Sequence, residues 1–529
     1  MKKYLIACFS LFCTLSFAQK HYERLASIDV QHYRFELQLS DETDQINGIA
    51  SVSIKFLKDQ SHFVLDLVNE SEGKGMKVNA VMSGNDKVQF SHKNNELTIN
   101  YNAKSGEYKT FLIAYGGIPE TGLIISKNKY GDRTFFGDNW PDRGKNWLPM
   151  VDHPSDKATV EWVVTAPSHY QVVGNGRLVE RTNINEALTL THWKSDVVLP
   201  TKVMVIGAAR FAIQVTGEIY NIPVSAWIYP QDREKGFYDY ALALPVTDWF
   251  INHVGPYPYA KLANVQSKTE FGGMENASNI FYNENSVNGN RTSEGLIVHE
   301  VAHQWFGNSA SEANWHHVWL SEGFATYFTN LYMEQKYGRD NFVEREKQQR
   351  EQIIEFSKER RVPIVNTSIE NYMDLLNTNS YQKGGWVLHM LRKEVGDEAF
   401  WKAIQQYYDQ YKLSNALTED LKNVFEQVSG KDLDAFFNQW VMQAGQPEID
   451  ASWSFKDDKL NLQIEQKQKE NFTFNLEVKI TYADGSSEIR TIPVTQKSQI
   501  WIPSLNSKPA KIELDPQVWL LFQGNLSEK

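Results

Sequence analysis

The chain has 529 residues, 41% of them hydrophobic and 22% charged, with 15 Trp, 24 Tyr and 28 Phe. That composition excludes a mainly disordered chain, and the length exceeds what one core serves, so two to four domains are expected. Lys and Arg total 54 against 65 Asp and Glu, a net charge of −11, so no nucleic-acid partner is expected.

At the N-terminus, Lys2 and Lys3 precede an apolar run from Tyr4 to Phe17, and Ser16 and Ala18 put small residues before a cut at Gln19. This three-part layout reads as a secretory signal peptide over residues 1–18 and predicts an exported protein, periplasmic or extracellular. Leu5-Ile6-Ala7-Cys8 resembles a lipoprotein box, and an uncleaved anchor is the other alternative. The run is short for a bilayer span, no stop-transfer cluster follows, and nothing later approaches transmembrane length. Cleavage removes Lys2 and Lys3 and no acids, which takes the net charge from −11 to −13. It also removes Cys8 and Cys13, the 2 cysteines of the chain. The exported part then has neither disulfides nor thiol chemistry, so a metal must be held by His, Asp or Glu.

From about Tyr33 to Arg210 apolar residues recur at period two, as in Tyr33, Phe35, Leu37 and Leu39 or Val52, Ile54 and Phe56. Turn signals such as Ser83-Gly84-Asn85-Asp86 separate the runs, which predicts an antiparallel β domain over 19–210. Near Tyr229-Pro230-Gln231-Asp232 the texture becomes helical, with candidate helices at 293–307, 320–337, 381–395 and 433–442. The Lys/Glu-rich run 344–361 reads as a solvated helix face. After Gly445-Gln446-Pro447 alternation returns in Phe474, Leu476, Val478, Ile480 and Tyr482, ending at the hairpin signal Asp484-Gly485. The expected organisation is multidomain α+β: a β domain, a mainly helical domain over 211–445 and a small β-sandwich-like domain over 446–529.

The chemistry concentrates in His299-Glu300-Val301-Ala302-His303. Two His four apart on a helix share a face, one turn apart, and both rings can reach one ion. Glu300 lies about 100° round the helix, close enough to meet a water beside that ion without ligating it. An ordinary helix with one core and one surface histidine gives the same five residues. What favours a metal is the sequel: after eighteen intervening residues, Trp319-Leu320-Ser321-Glu322-Gly323 brings an acid to the start of another helix. A carboxylate there completes a three-ligand zinc site with an open fourth position.

Together with Phe271-Gly272-Gly273-Met274-Glu275-Asn276 upstream and Tyr381-Gln382-Lys383-Gly384 downstream, these motifs resemble the gluzincin aminopeptidases. That is the family of aminopeptidase N and the leukotriene hydrolase. The four elements stand in the family's order and spacing, and the β–helical–β layout agrees. The resemblance implies a thermolysin-like catalytic domain with one zinc ion bound by His299, His303 and Glu322. It implies Glu300 as general base toward the zinc-activated water and Tyr381 as hydrogen-bond donor to the oxyanion. It implies that Glu275 takes the substrate's α-amine, that Gly272, Gly273 and Asn276 belong to the substrate edge, and that Met274 lines the first side-chain pocket. The partners would be peptides with a free N-terminus, cleaved after neutral or apolar first residues.

Two features depart from the family. Many members carry a Gln or Glu in the N-terminal domain that helps hold the amine; here Asp138-Asn139 stands in that region, and either residue is equally a structural one. Many members continue into a large helical domain, whereas this chain stops at Lys529, so the site is either more open or closed by a partner subunit. Oligomeric state stays open. His316-His317 is read as non-ligating, and Asn276-Ala277-Ser278 as a formal sequon that a glycan would turn against the substrate edge. A thermolysin-type endopeptidase is the rival within enzymes but does not account for Glu275. A silent peptide-binding protein is the rival outside them, and needs neither Glu300 nor Tyr381. No residue supports an added epoxide-hydrolase activity.

Overall fold

The computed structural model describes residues 24–529. The candidate signal peptide and its cut site lie outside the described residues. Among the described residues no helix is long and apolar enough to cross a membrane.

One compact unit contains residues 24–248 together with 256–311 and 412–415. Its largest sheet has eight strands in the spatial order Arg177–Asn183, Leu188–Pro200, Lys157–Pro167, Ile28–Gln38, Ile46–Phe56, Tyr108–Ile118, Gly75–Ser83 and Asp86–Lys87. The period-two pattern has its expected cause: Tyr33, Phe35, Leu37, Val52 and Ile54 are all buried, while the residues between them are partly exposed. The pairing is antiparallel except where Ile28–Gln38 runs parallel to Lys157–Pro167, with Phe35 opposite Trp162. Those two rings lie 5.0 Å apart, and Trp162 stacks on Trp147 at 5.7 Å. The Gly84-Asn85 turn closes a tight hairpin, Ser83 pairing with Asp86, and Gly84 supplies the required φ of +60°.

A five-stranded sheet in the same unit positions the chemistry. Its order is Ala212–Ile219, Ile222–Ile228, Leu262–Ser267, Asn279–Asn283 and Gly273–Met274. The three inner strands are parallel, and nearly all residues of Leu262–Ser267 and Asn279–Asn283 are buried, as strands covered on both faces require. Gly273–Met274 is an antiparallel edge strand, paired to Tyr282 and Phe281. Helix α1, Glu294–Ala302, follows in the chain with Glu294 in its first turn, where a carboxylate suits the helix dipole. It is shorter than the expected 293–307. The Trp305 and Phe306 N–H groups both turn back to the Ala302 carbonyl, and Gly307 leaves at φ +110°.

The second unit comprises residues 249–255, 312–411 and 416–529. It contains α2 (Trp319–Tyr337), α3 (Arg339–Glu359) and α4 (Gly384–Val395). Helices α2 and α4 cross at glycines. A Cβ on Gly323 would stand 2.8 Å from the Gly384 carbonyl carbon, and one on Gly384 would stand 3.0 Å from the Gly323 Cα. Only the absence of side chains permits that approach. The run 344–361 is mostly an exposed face of α3, but Glu346 is buried, accepts from Asn330 Nδ2 at 2.9 Å and is pushed up to about 7 by burial. Sequences 448–529 form a four-stranded and a three-stranded sheet. The expected hairpin joins Phe474–Tyr482 to Ser487–Val494, with Gly485 at φ +84°.

Candidate active site

His299 and His303 project from the last turn of α1 with their Nε2 atoms 3.1 Å apart and their rings nearly perpendicular, at 83°. His303 Nδ1 lies 3.1 Å from the Phe306 carbonyl. That contact makes Nδ1–H the donor and leaves Nε2 with its lone pair, the tautomer a metal ligand needs. Glu322 sits in the first turn of α2. Ligands of a tetrahedral zinc stand about 3.4 Å apart; the two Nε2 atoms at 3.1 Å come near that spacing, and two imidazole nitrogens with one carboxylate are a donor set that suits the ion. Among the described residues the carboxylates of Glu426, Asp432 and Asp434 also lie together, but Asp432 and Asp434 are exposed, and Glu426 and Asp434 already hold the Lys422 ammonium.

Glu300 is buried, and its carboxylate occupies the space that a Cβ on Gly273 would need. Gly273 is therefore a glycine for close approach to Glu300. Its neighbour Gly272 would meet only a Leu296 methyl at 3.7 Å. Tyr282 lies nearby, its hydroxyl pushed up first by burial and then by the Glu300 charge.

Glu275 is 5% exposed, and its Oε1 has no hydrogen-bond partner. A buried unpaired carboxylate oxygen is costly unless it meets a cation. The Glu275 carbonyl is doubly held, by Gln304 Nε2 at 2.8 Å and Asn308 Nδ2 at 2.6 Å. Met274 is buried at the sheet edge, and Asn276 is fully buried with neither side-chain polar atom bonded. That burial withholds the Asn276 sequon from any glycan in the folded state.

Tyr381 is half-buried on a wide turn, Asn379–Lys383, that leads into α4. Turns of this type are frequent at functional positions. Lys383 anchors it by donating to the Gly445 carbonyl at 2.8 Å, and burial lowers that ammonium to about 7. Gly384, next in the motif, makes the contact with Gly323 that follows Glu322. The two glycines of these motifs thus set one helix crossing, and that crossing locates both Glu322 and Tyr381.

Asp138 and Asn139 are both buried and engaged. Asn139 donates to the Met204 carbonyl at 2.7 Å and accepts from Trp147 Nε1 at 2.8 Å. Asp138 pairs with Arg143 at 3.0 Å and accepts from Thr269 Oγ1 and the Glu270 N–H. Burial raises it to about 6 against the pull of Arg143. Asp138 thus ties the loop at 137–143 to the strand leading to Glu275. His316 Nε2 meets the Ile369 carbonyl at 2.9 Å, and His317 meets Thr418 and is lowered to about 4 by burial. Neither belongs to the His299–His303–Glu322 group. The residues that sequence reasoning missed are Gln304 and Asn308, with Lys261, which donates to the Ser278 carbonyl at 3.0 Å. Nothing in their spacing marks them, because each acts on a backbone group distant in the chain.

Comparison with known proteins agrees with this geometry. Residues 29–203 match the peptidase M1 N-terminal domain and residues 245–440 the peptidase family M1 domain. The leucyl aminopeptidase of Saccharolobus solfataricus is 24% identical over 81% of this chain and 55% of its own. Aminopeptidase M1 of Arabidopsis thaliana is 28% identical over 61% of this chain and 38% of its own. The chain spans about half the length of the curated relatives it matches. The crystal structure of Legionella pneumophila aminopeptidase A in complex with aspartic acid shares the fold, with a TM-score of 0.82 at 16% identity over 94% of this chain and 60% of that one. The two domain matches together span most of the β and helical regions in the family's order, and the chain belongs to peptidase family M1.

Proposed function

We propose that the protein is an exported zinc aminopeptidase that hydrolyses the first peptide bond of peptides with neutral or apolar N-terminal residues. The observation that carries the reading is Glu275: a buried carboxylate oxygen without a partner, directly after the edge strand Gly273–Met274, whose Gly273 packs against Glu300 on the helix of His299 and His303. An endopeptidase has no use for a buried acid at that edge. The N-terminal layout supports export, and the buried thioether of Met274 supports an apolar first residue.

His299, His303 and Glu322 would hold the zinc, which when bound supplies a Lewis acid and makes water a nucleophile at neutral pH. Glu275 takes the substrate's α-ammonium and the edge strand pairs with its backbone. Glu300 accepts the proton of the attacking water and passes it to the leaving amine. Tyr381 donates a hydrogen bond to the oxygen that gains charge as the carbonyl carbon becomes tetrahedral.

The deciding experiment compares one aminoacyl-anilide, Leu or Ala, with its N-acetylated twin, with and without a zinc chelator. Cleavage of the free-amine form alone, abolished by the chelator and restored by zinc, is the expected result. Equal cleavage of both forms would make this an endopeptidase. Glu275→Ala should lower kcat/KM for the free-amine substrate by about 10- to 150-fold, the worth of a charge-assisted hydrogen bond. A parallel loss on blocked and free substrates would remove the amine-anchor role.

A further inference from the structure

Gln304 follows His303 directly and is fully buried. Its amide works in two directions on the segment that carries Glu275. Nε2 donates to the Glu275 carbonyl at 2.8 Å, and Oε1 accepts from the Ser278 N–H at 2.9 Å. Asn308 Nδ2 donates to the same Glu275 carbonyl at 2.6 Å, so both of that oxygen's lone pairs are engaged. At the front of the segment Gly273 packs on the Glu300 carboxylate. The backbone from 273 to 278 is therefore fixed at three points to the residues of α1 and the turn that ends it.

The segment needs such fixing. Ser278 sits at φ +63°, a left-handed conformation that a serine keeps only when its surroundings hold it. Gln304 holds its N–H, Lys261 its carbonyl, and the Gly176 N–H its hydroxyl. In an α-amino acid one carbon separates the amine from the scissile carbonyl. The amine anchor and the metal ligands must therefore stand at one matching spacing, and a misplacement of about 1 Å costs roughly 100-fold in rate.

We infer that Gln304, assisted by Asn308, is a positioning residue that sets the distance between Glu275 and the His299/His303 pair, and so confines cleavage to the bond after the first residue. This rests on the reading of Glu275 as the amine anchor. Gln304 touches no substrate atom in this account; it acts through the Glu275 backbone. The sequence motif ends at His303, but the register that makes the motif serve an exopeptidase is held by the amide one residue beyond it.

The test uses Gln304→Met, similar in size but unable to make either hydrogen bond. Two substrates are compared: the anilide of a first residue that the wild type cleaves, and its β-homo analogue, in which an extra methylene separates amine from carbonyl. The ratio of their kcat/KM values does not depend on the fraction of active enzyme, so a merely structural loss leaves it unchanged. The wild type should strongly favour the α-substrate. In the variant, with one zinc retained per chain, that ratio should fall at least tenfold, through kcat of the α-substrate, with KM moving less than about threefold. An unchanged ratio would overturn the inference. Should Gln304→Met fail to fold, Asn308→Ala removes one donor and should lower the ratio at least threefold; no change there overturns it equally. Failure of the underlying reading shows separately, as wild-type cleavage of the N-acetylated anilide at the rate of the free one.

Discussion

Glu300→Gln is expected to keep one zinc per chain and to lower kcat by about 10²- to 10⁴-fold, the range for loss of a positioned general base. The substitution isolates proton transfer because the amide has the size of the carboxylate it replaces. The wall that Glu300 forms against Gly273 is therefore preserved, and the edge strand Gly273–Met274, with Glu275 next to it, has no reason to move. What is lost is the ability to accept a proton from water and return it to the departing amine. Steady-state kinetics together with metal analysis of the purified variant check this. A kcat within tenfold of wild type, with zinc bound, would take the general-base role away from Glu300.

Tyr381→Phe should lower kcat by about 10²- to 10³-fold while leaving the affinity for a non-hydrolysable substrate analogue within about threefold. Phenylalanine keeps the ring and its packing, and the Lys383–Gly445 bond and the Gly323–Gly384 contact that locate this turn are untouched. Only the hydroxyl that would meet the charge developing on the carbonyl oxygen is removed. An interaction made in the transition state alone appears in kcat and not in ground-state binding. Equal losses in rate and affinity would mean that Tyr381 shapes the pocket instead.

Several features were legible in the chain because their cause is local. Strand alternation in 28–38 or 474–482 is the period of the pleat, and the turns at Gly84 and Gly485 follow from glycine's freedom at positive φ. The His299/His303 pair is visible because helical periodicity alone puts i and i+4 on one face. The glycines were visible as motif letters, but their reasons were not. Gly273 accommodates Glu300, and Gly323 meets Gly384, each a contact between segments far apart in sequence. Reading 344–361 as a solvated helix face did not single out Glu346, which is buried and bonded to Asn330 of the neighbouring helix.

The N-terminal-domain pair illustrates the same division. Asp138 and Asn139 stood out as equally able to bind an amine or to support structure. The tertiary structure surrounds Asn139 with Met204 and Trp147 and gives the Asp138 carboxylate to Arg143, Thr269 and the Glu270 N–H. By itself, then, the sequence determined the order of β and helical regions and the helix that pairs His299 with His303, since periodicity and spacing act over one or two turns; Glu275 and Tyr381 were marked only by the resemblance of their motifs to the aminopeptidases. The tertiary structure alone decided which polar side chains are consumed in holding backbone and which, like Glu275 Oε1, are buried without a partner. Hydrogen bonds such as those from Gln304 and Asn308 to one carbonyl join residues about thirty positions apart, and no local pattern in a chain encodes a contact that exists only once distant segments have packed.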